Sequence, residues 1–403
     1  MKEILKNNLE HVQNSINRFD APFFFYDLNY FENHLKTLRF EESDGIKMWY
    51  ACKANPISSV LKILRNNNFG IDIASLGELH QVLNNGIPGK HLIATGPAKS
   101  KDYFLELIKQ GLRTFVLESV NQLKWLNECA IERNVEVKGL LRIQIEWESG
   151  ESVLGGNSIT PFGLDPDEWI KGEINQYKHV QIIGAHCFQW GNILKNQELV
   201  SIWKDSINQA KSLFEELKIP LKIMDLGGGL GIPYHGTSGE IDFQSLKGEL
   251  INLRNKHNLK EIWLELGRYA IGPSGFYCTK IIDIKTVRGK KLIVTDGGIN
   301  HIARPALTKQ YFECEVVNEM QSNQKYNFQV HGPLCTSLDY LGSFDFPSTT
   351  KIGDWLCFFN TGAYGHTEAM PYFLAHPLAG EVILYRDDLM MPRVPKNSFE
   401  WMI

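Results

Sequence analysis

Short runs of apolar, β-branched or aromatic residues recur along the chain, separated by segments whose apolar residues fall at helical spacing. The runs are KMWYACK, FGIDIAS, HLIATGP, TFVLES, VKGLLRIQIE, VQIIGAHCF, LKIMDLGGG and EIWLELGR, eight in all. Among the intervening segments are SSVLKILRNNN, LGELHQVLNNG, SKDYFLELIKQG, VNQLKWLNECAIERN and NQELVSIWKDSINQAKSLFEELK, several of which close on Asn or Gly, residues that stop helices. Strand and helix alternating eight times predicts a (β/α)8 barrel of the α/β class. An open doubly wound sheet is the alternative, but it does not need so many units.

Beyond about residue 275 the pattern changes to strands joined by turns: GFYCTKIIDIKTV, KKLIVTDGG, NFQVHGPL, DWLCFFNTGAY and EVILYR. This predicts a mainly antiparallel C-terminal β domain. PFFFYDL, residues 22–28, precedes the first barrel strand and reads as an extra strand of that domain. The expected division is 1–35 for an N-terminal helix and strand joining the β domain, 36–275 for the barrel, and 276–403 for the β domain.

Composition narrows the class of partner. The 403 residues are 43% apolar and 22% charged with a net charge of −4, which fits a globular protein and suggests neither a nucleic-acid footprint nor a polybasic membrane patch. No apolar run approaches membrane-spanning length. The opening MKEILKNNLEHVQNSINRFD is amphipathic and acid-containing, so it reads as a helix and not as a secretory leader. Seven cysteines, scattered and never spaced as CxxC, fit a reduced cytoplasmic setting. With no HExxH or EF-hand pattern either, no metal is expected. A small molecule or another protein is the expected partner.

Barrel chemistry collects at the C-terminal strand ends, and those ends carry unusual residues here. Lys53 closes the first, Asp72 the second, Arg142 the fifth, His186 and Phe188 the sixth, Gly227, Gly228 and Gly229 the seventh, and Glu265 with Arg268 the eighth. Singly each has a bland reading: Lys53 a solvated terminus, Asp72 a helix cap, His186 a core histidine, Glu265 a salt bridge to Arg268. Their joint placement on one rim favours function. A glycine triplet after an apolar strand lets backbone N–H groups converge on an anion, and the seventh strand is where barrels commonly bind phosphate. A lysine facing that cradle forms Schiff bases with an aldehyde. Pyridoxal 5'-phosphate fits both, with Glu265 as the carboxylate that keeps the pyridine nitrogen protonated.

These segments also resemble the fold type III pyridoxal-phosphate decarboxylases, the family of diaminopimelate and ornithine decarboxylases. YACKANP resembles the cofactor-lysine motif, IDIASLGEL the second-strand motif, DLGGG the phosphate loop and ELGR the Glu-x-Gly-Arg segment. GPLCTSLD resembles the cysteine-and-aspartate motif and GAYG the late tyrosine motif. The resemblance implies that Lys53 binds the cofactor aldehyde, that Glu265 contacts the pyridine nitrogen, that Asp72 and Arg142 belong to the cofactor site, and that Gly227, Gly228, Gly229, Arg268 and Tyr364 hold the phosphate. Cys335 would return a proton to the substrate carbon, on a loop donated by the neighbouring subunit. A homodimer with shared active sites is therefore expected. A thiol poised near a cationic cofactor can cycle its proton at neutral pH.

Departures from the pattern bear on substrate. Phe188 stands where the family stacks a histidine on the ring, and an aromatic ring can still stack there. Thr336 follows Cys335 where an acid recognises a distal substrate amine, and burying an ammonium without that carboxylate is costly. Free diamino acids are thereby disfavoured. Arg304 matches an arginine that binds a substrate carboxylate, with Thr308 in place of a nearby tyrosine; a loop arginine on the surface is the equal alternative. Asp339 lies in the same motif as Cys335. GESVLGGNSITPFGLD, ELGRYAIGPSGFY and TGAYGHTEAMPYFLAHP resemble a subgroup working in natural-product and siderophore assembly, whose substrates are carrier-bound glutamate or citryl-amino acids. The expected activity is decarboxylation of such a conjugated amino acid. Alternatives are diaminopimelate decarboxylation, racemisation on the same fold, and a non-catalytic regulatory protein. The β domain and the loops around Trp147–Pro161 and His301–Phe312 are expected to select the substrate.

Overall fold

The computed structural model describes residues 2–19, 22–147, 156–317 and 322–402. The chain forms two compact units, one of residues 1–34, 232–238 and 268–403, the other of residues 35–231 and 239–267. It begins with helix α1 (Lys2–Arg18), strand β1 (Phe23–Asp27) and helix α2 (Leu28–Thr37).

The second unit is the barrel. Strands β2 (Ile46–Ala51), β3 (Gly70–Ile73), β4 (Leu92–Ala94), β5 (Thr114–Leu117), β6 (Val137–Arg142), β7 (Val180–His186), β8 (Ile223–Asp225) and β9 (Glu261–Leu266) close in chain order. All pairings are parallel, and β2 returns to β9 with Trp49 opposite Glu265. Strands buried on both faces need continuous apolar runs, which is what the eight segments supply. Trp49, Ile93, Val116, Leu140, Ile183, Ile223 and Trp263 fill the interior, the two indoles 5.1 Å apart. The intervening helices include α3 (Ser58–Asn66), α4 (Leu76–Asn84), α5 (Lys101–Lys109) and α6 (Val120–Glu132). The last three start at serine caps: Ser75, Ser100 and Ser119 each accept the N–H of the residue three positions on. Further along come α7 (Pro166–Lys171), α8 (Asn196–Glu216) and α9 (Phe243–Lys256).

The other unit is a nine-stranded, mostly antiparallel sheet. It contains β1, β10 (Gly275–Val287), β11 (Lys290–Thr295), β12 (Cys314–Val317), β13 (Lys325–His331), β14 (Tyr340–Pro347), β15 (Trp355–Phe358), β16 (Gly380–Tyr385) and β17 (Asp388–Arg393). β1 lies between β10, antiparallel, and β16, parallel. Phe23 and Phe25 of β1 pack with Phe276, Cys278, Trp355, Cys357 and Val382, with Val12 of α1 covering them. Among the described residues no helix is long and apolar enough to cross a membrane.

Candidate active site

Each barrel strand brings a polar side chain to its C-terminal end: Lys53 just past β2, Asp72 in β3, Thr95 just past β4, Glu118 just past β5, Arg142 ending β6, His186 ending β7, Asp225 ending β8 and Glu265 in β9. Lys53 owes its place to a tight 3₁₀ turn, Cys52–Ala54, that interrupts the apolar run of β2. Asn55 follows with extended backbone, as the residue before a proline must, and its Oδ1 accepts the N–H of Ile57 at 3.2 Å. The turn leaves the Lys53 side chain 41% exposed while Asp72 beside it is buried, Nζ to Oδ2 being 3.3 Å. Thr95 donates its hydroxyl to the other Asp72 oxygen at 2.7 Å. The cap of the following helix is Ser75, so Asp72 is bound to Lys53 and Thr95 instead of capping.

Glu118 and Arg142 form a buried ion pair of 3.0 Å, and Arg142 also donates to the backbone oxygen of Phe188 at 3.3 Å. The second Glu118 oxygen accepts the N–H of Gly163 at 2.8 Å. Lys99, buried beside this pair, donates to the Gly96 carbonyl, and burial pulls its ammonium pKa down to about 8.

The glycine triplet is required sterically. A Cβ on Gly228 would stand 2.5 Å from the Glu265 carbonyl oxygen, and one on Gly227 would collide with the Phe188 ring. Gly227 (φ +61°) and Gly229 (φ +95°) are in the left-handed region. Asp225 Oδ1 accepts the Gly227 N–H at 2.9 Å, and Glu265 N–H reaches the Gly227 oxygen at 2.7 Å. Among the described residues, the N–H groups of Gly228 and Gly229 have no protein acceptor. No helix follows the triplet directly, the next being α9, so the loop presents backbone N–H groups without a helix N-terminus behind them.

Beneath this loop His186, Asp225 and Glu265 are fully buried, with one polar atom of each within 4.8 Å of the others. Nε2 of His186 is 3.3 Å from Oε1 of Glu265, yet that oxygen, Asp225 Oδ2 and both imidazole nitrogens have no hydrogen-bond partner. Burial, then the charge of Glu265, raises the Asp225 carboxyl well above the ordinary range. Burial likewise raises Glu265, opposed by Lys53 and Arg142, and depresses His186 so that its imidazole is neutral.

In the β unit, the guanidinium of Arg268 lies 4.8 Å from the ring centre of Tyr364 and that of Arg304 lies 5.5 Å from it. Tyr234 completes the cluster, its hydroxyl bonded to Arg268. Tyr364 holds a positive φ of 58° at the GAYG turn. Arg304 is buried and is a surface residue in no sense: it donates to Glu368 at 2.8 Å and to Gln310 at 3.0 Å. Cys335 is exposed whereas the other six cysteines are buried, and all seven are free thiols. Its loop is held by Asp339, whose oxygens accept the N–H groups of Ile299 at 2.8 Å and Leu334 at 2.7 Å. Thr336, half-buried, accepts the Leu338 N–H at 3.2 Å. Of the loop Trp147–Pro161, residues 148–155 lie outside the described residues.

Sequence reasoning missed Thr95, Glu118, Asp225, Tyr234 and the buried Lys99. Position alone would have found Asp225, which ends the strand that carries the triplet.

An exposed lysine at the barrel end, a glycine cradle with unused N–H groups, and a buried carboxylate lacking a partner fit an aldehyde cofactor with a phosphate arm and a basic ring nitrogen. Residues 30–272 match the family described as "Pyridoxal-dependent decarboxylase, pyridoxal binding domain", and the chain belongs to it; pyridoxal phosphate is its cofactor. Its relatives include the L-glutamyl-[BtrI acyl-carrier protein] decarboxylase of Niallia circulans, 25% identical over 91% of this chain and 89% of that one. The diaminopimelate decarboxylase of Aquifex aeolicus is 27% identical over 94% and 90%. The 2-[(L-alanin-3-ylcarbamoyl)methyl]-2-hydroxybutanedioate decarboxylase of Staphylococcus aureus is 26% identical over 88% and 92%.

Proposed function

We propose that this decarboxylase removes the α-carboxylate of an amino acid conjugated to a carrier protein or to a citryl group, as a step in natural-product or siderophore assembly. The observation that carries the substrate class is Thr336. A half-buried neutral hydroxyl, engaged in its own turn, stands beside Cys335 where a distal ammonium would need a carboxylate. Two relatives act on substrates of this conjugated kind. The diaminopimelate reading is favoured by an equally similar relative and is the alternative.

Pyridoxal phosphate, when bound, supplies the electron sink that accepts the electrons of the breaking Cα–carboxylate bond. Lys53 would hold the cofactor aldehyde, Asp72 would orient the Lys53 amine, and Glu265 would meet the ring nitrogen. The N–H groups of Gly228 and Gly229, with Arg268 and Tyr364, would hold the cofactor phosphate. Phe188 would stack its ring on the cofactor, and Arg304 would bind a substrate carboxylate only by exchanging Glu368 or Gln310 for it. Cys335 of a neighbouring subunit would give the proton that replaces CO2. Both racemisation, which needs no CO2 loss, and a non-catalytic role leave the Cys335 loop without this use.

Thr336→Asp tests the substrate class. The variant should gain CO2 release from free lysine or diaminopimelate and lose it from the conjugated substrate. An unchanged ratio would contradict the role of Thr336.

A further inference from the structure

We propose that Asp225 and Glu265 hold one proton between them and pass it to the cofactor's ring nitrogen, which makes Asp225 a positioning residue acting through Glu265. This rests on the cofactor assignment above.

The geometry is that of a site short of hydrogens. Two fully buried carboxyl groups and a buried imidazole turn polar atoms toward each other within 4.8 Å, and Asp225 Oδ2, Glu265 Oε1 and His186 Nε2 all lack partners. Two carboxylates in one desolvated site cannot both ionise, so one proton stays with the pair. The groups acting on the pair from the surrounding strand ends are Lys53, Asp72, Glu118, Arg142 and His186. Lys53 and Arg142 are already paired with Asp72 and Glu118, so neither neutralises the Asp225–Glu265 pair, and a shared proton supplies the charge it lacks. When the ring nitrogen reaches Glu265, the proton moves to that nitrogen; the pair goes from one negative charge to two and the ring gains one positive charge. The second carboxylate then stabilises the protonated ring. Asp225 Oδ1 is fixed by the Gly227 N–H, so this charge cannot swing away.

Asp225→Asn keeps an oxygen for the Gly227 N–H and removes only the charge. With cofactor labelled with ¹⁵N in the ring, wild type should show a protonated ring nitrogen at neutral pH. In the variant the midpoint of the ring-nitrogen titration should fall by at least about one pH unit. An unchanged midpoint in the cofactor-bound variant overturns the proposal. Infrared spectroscopy of wild-type apoprotein gives a reading independent of the variant's folding: a deuterium-sensitive protonated-carboxyl band at neutral pH that disappears on adding pyridoxal phosphate. Absence of that band overturns the proposal even where cofactor binds, whereas a band with no cofactor binding overturns the cofactor assignment and leaves the shared proton standing.

Discussion

Nζ of Lys53 lies 3.3 Å from Oδ2 of Asp72, and Thr95 fixes the opposite oxygen of that carboxylate at 2.7 Å. A buried carboxylate anchored this way favours the protonated amine, while attack on an aldehyde needs the neutral one. Lys53→Ala should abolish the visible absorbance of the cofactor linkage together with turnover. Asp72→Asn should retain the linkage but form it at lower pH, by about one unit. Spectrophotometric titration checks both, and an unshifted profile in Asp72→Asn would remove Asp72 from this role.

Cys335 is the exposed thiol of the seven, on a loop fixed by Asp339. Its removal should therefore leave the barrel site intact. Cys335→Ala should bind cofactor like wild type and consume substrate with slowed or misdirected protonation at Cα, seen as reduced amine yield per substrate consumed. Full amine yield at the wild-type rate would exclude the thiol as proton donor.

His301 is buried between the Tyr277 hydroxyl and the Pro377 carbonyl, each 2.8 Å from a ring nitrogen, and burial pulls its pKa from 6.5 to about 4. The depressed native value means that the unfolded chain binds more protons below pH 6.5, so the contribution of His301 is complete above 6.5 and is lost as pH falls toward 4. The full loss is on the order of 3 kcal/mol. His301→Gln should flatten the decline measured by chemical denaturation at pH 7 and pH 4; an identical decline would show that His301 does not carry it.

Much of the barrel and the Lys53, glycine-triplet and Glu265 positions could be read from sequence because parallel strands buried on both faces leave unbroken apolar runs, and polar residues interrupt them at the ends. The pairings could not be read. Glu118 meets Arg142 across 24 positions, and Asp225 meets His186 by strand register. Asp225, two residues ahead of the glycine triplet, reads locally as a turn residue. β17 alternates between exposed and half-buried positions at the sheet edge, and its apolar run, Leu389 to Met391, is only three residues long and stops at Pro392.

The most direct measurement is CO2 release by wild-type protein offered free glutamate, lysine, ornithine and diaminopimelate beside citryl-diaminopropionate and a glutamyl-carrier protein. Release from the conjugated substrates alone is the predicted result. Release from free diaminopimelate or lysine would contradict the assembly-pathway reading and return the enzyme to primary amino-acid metabolism.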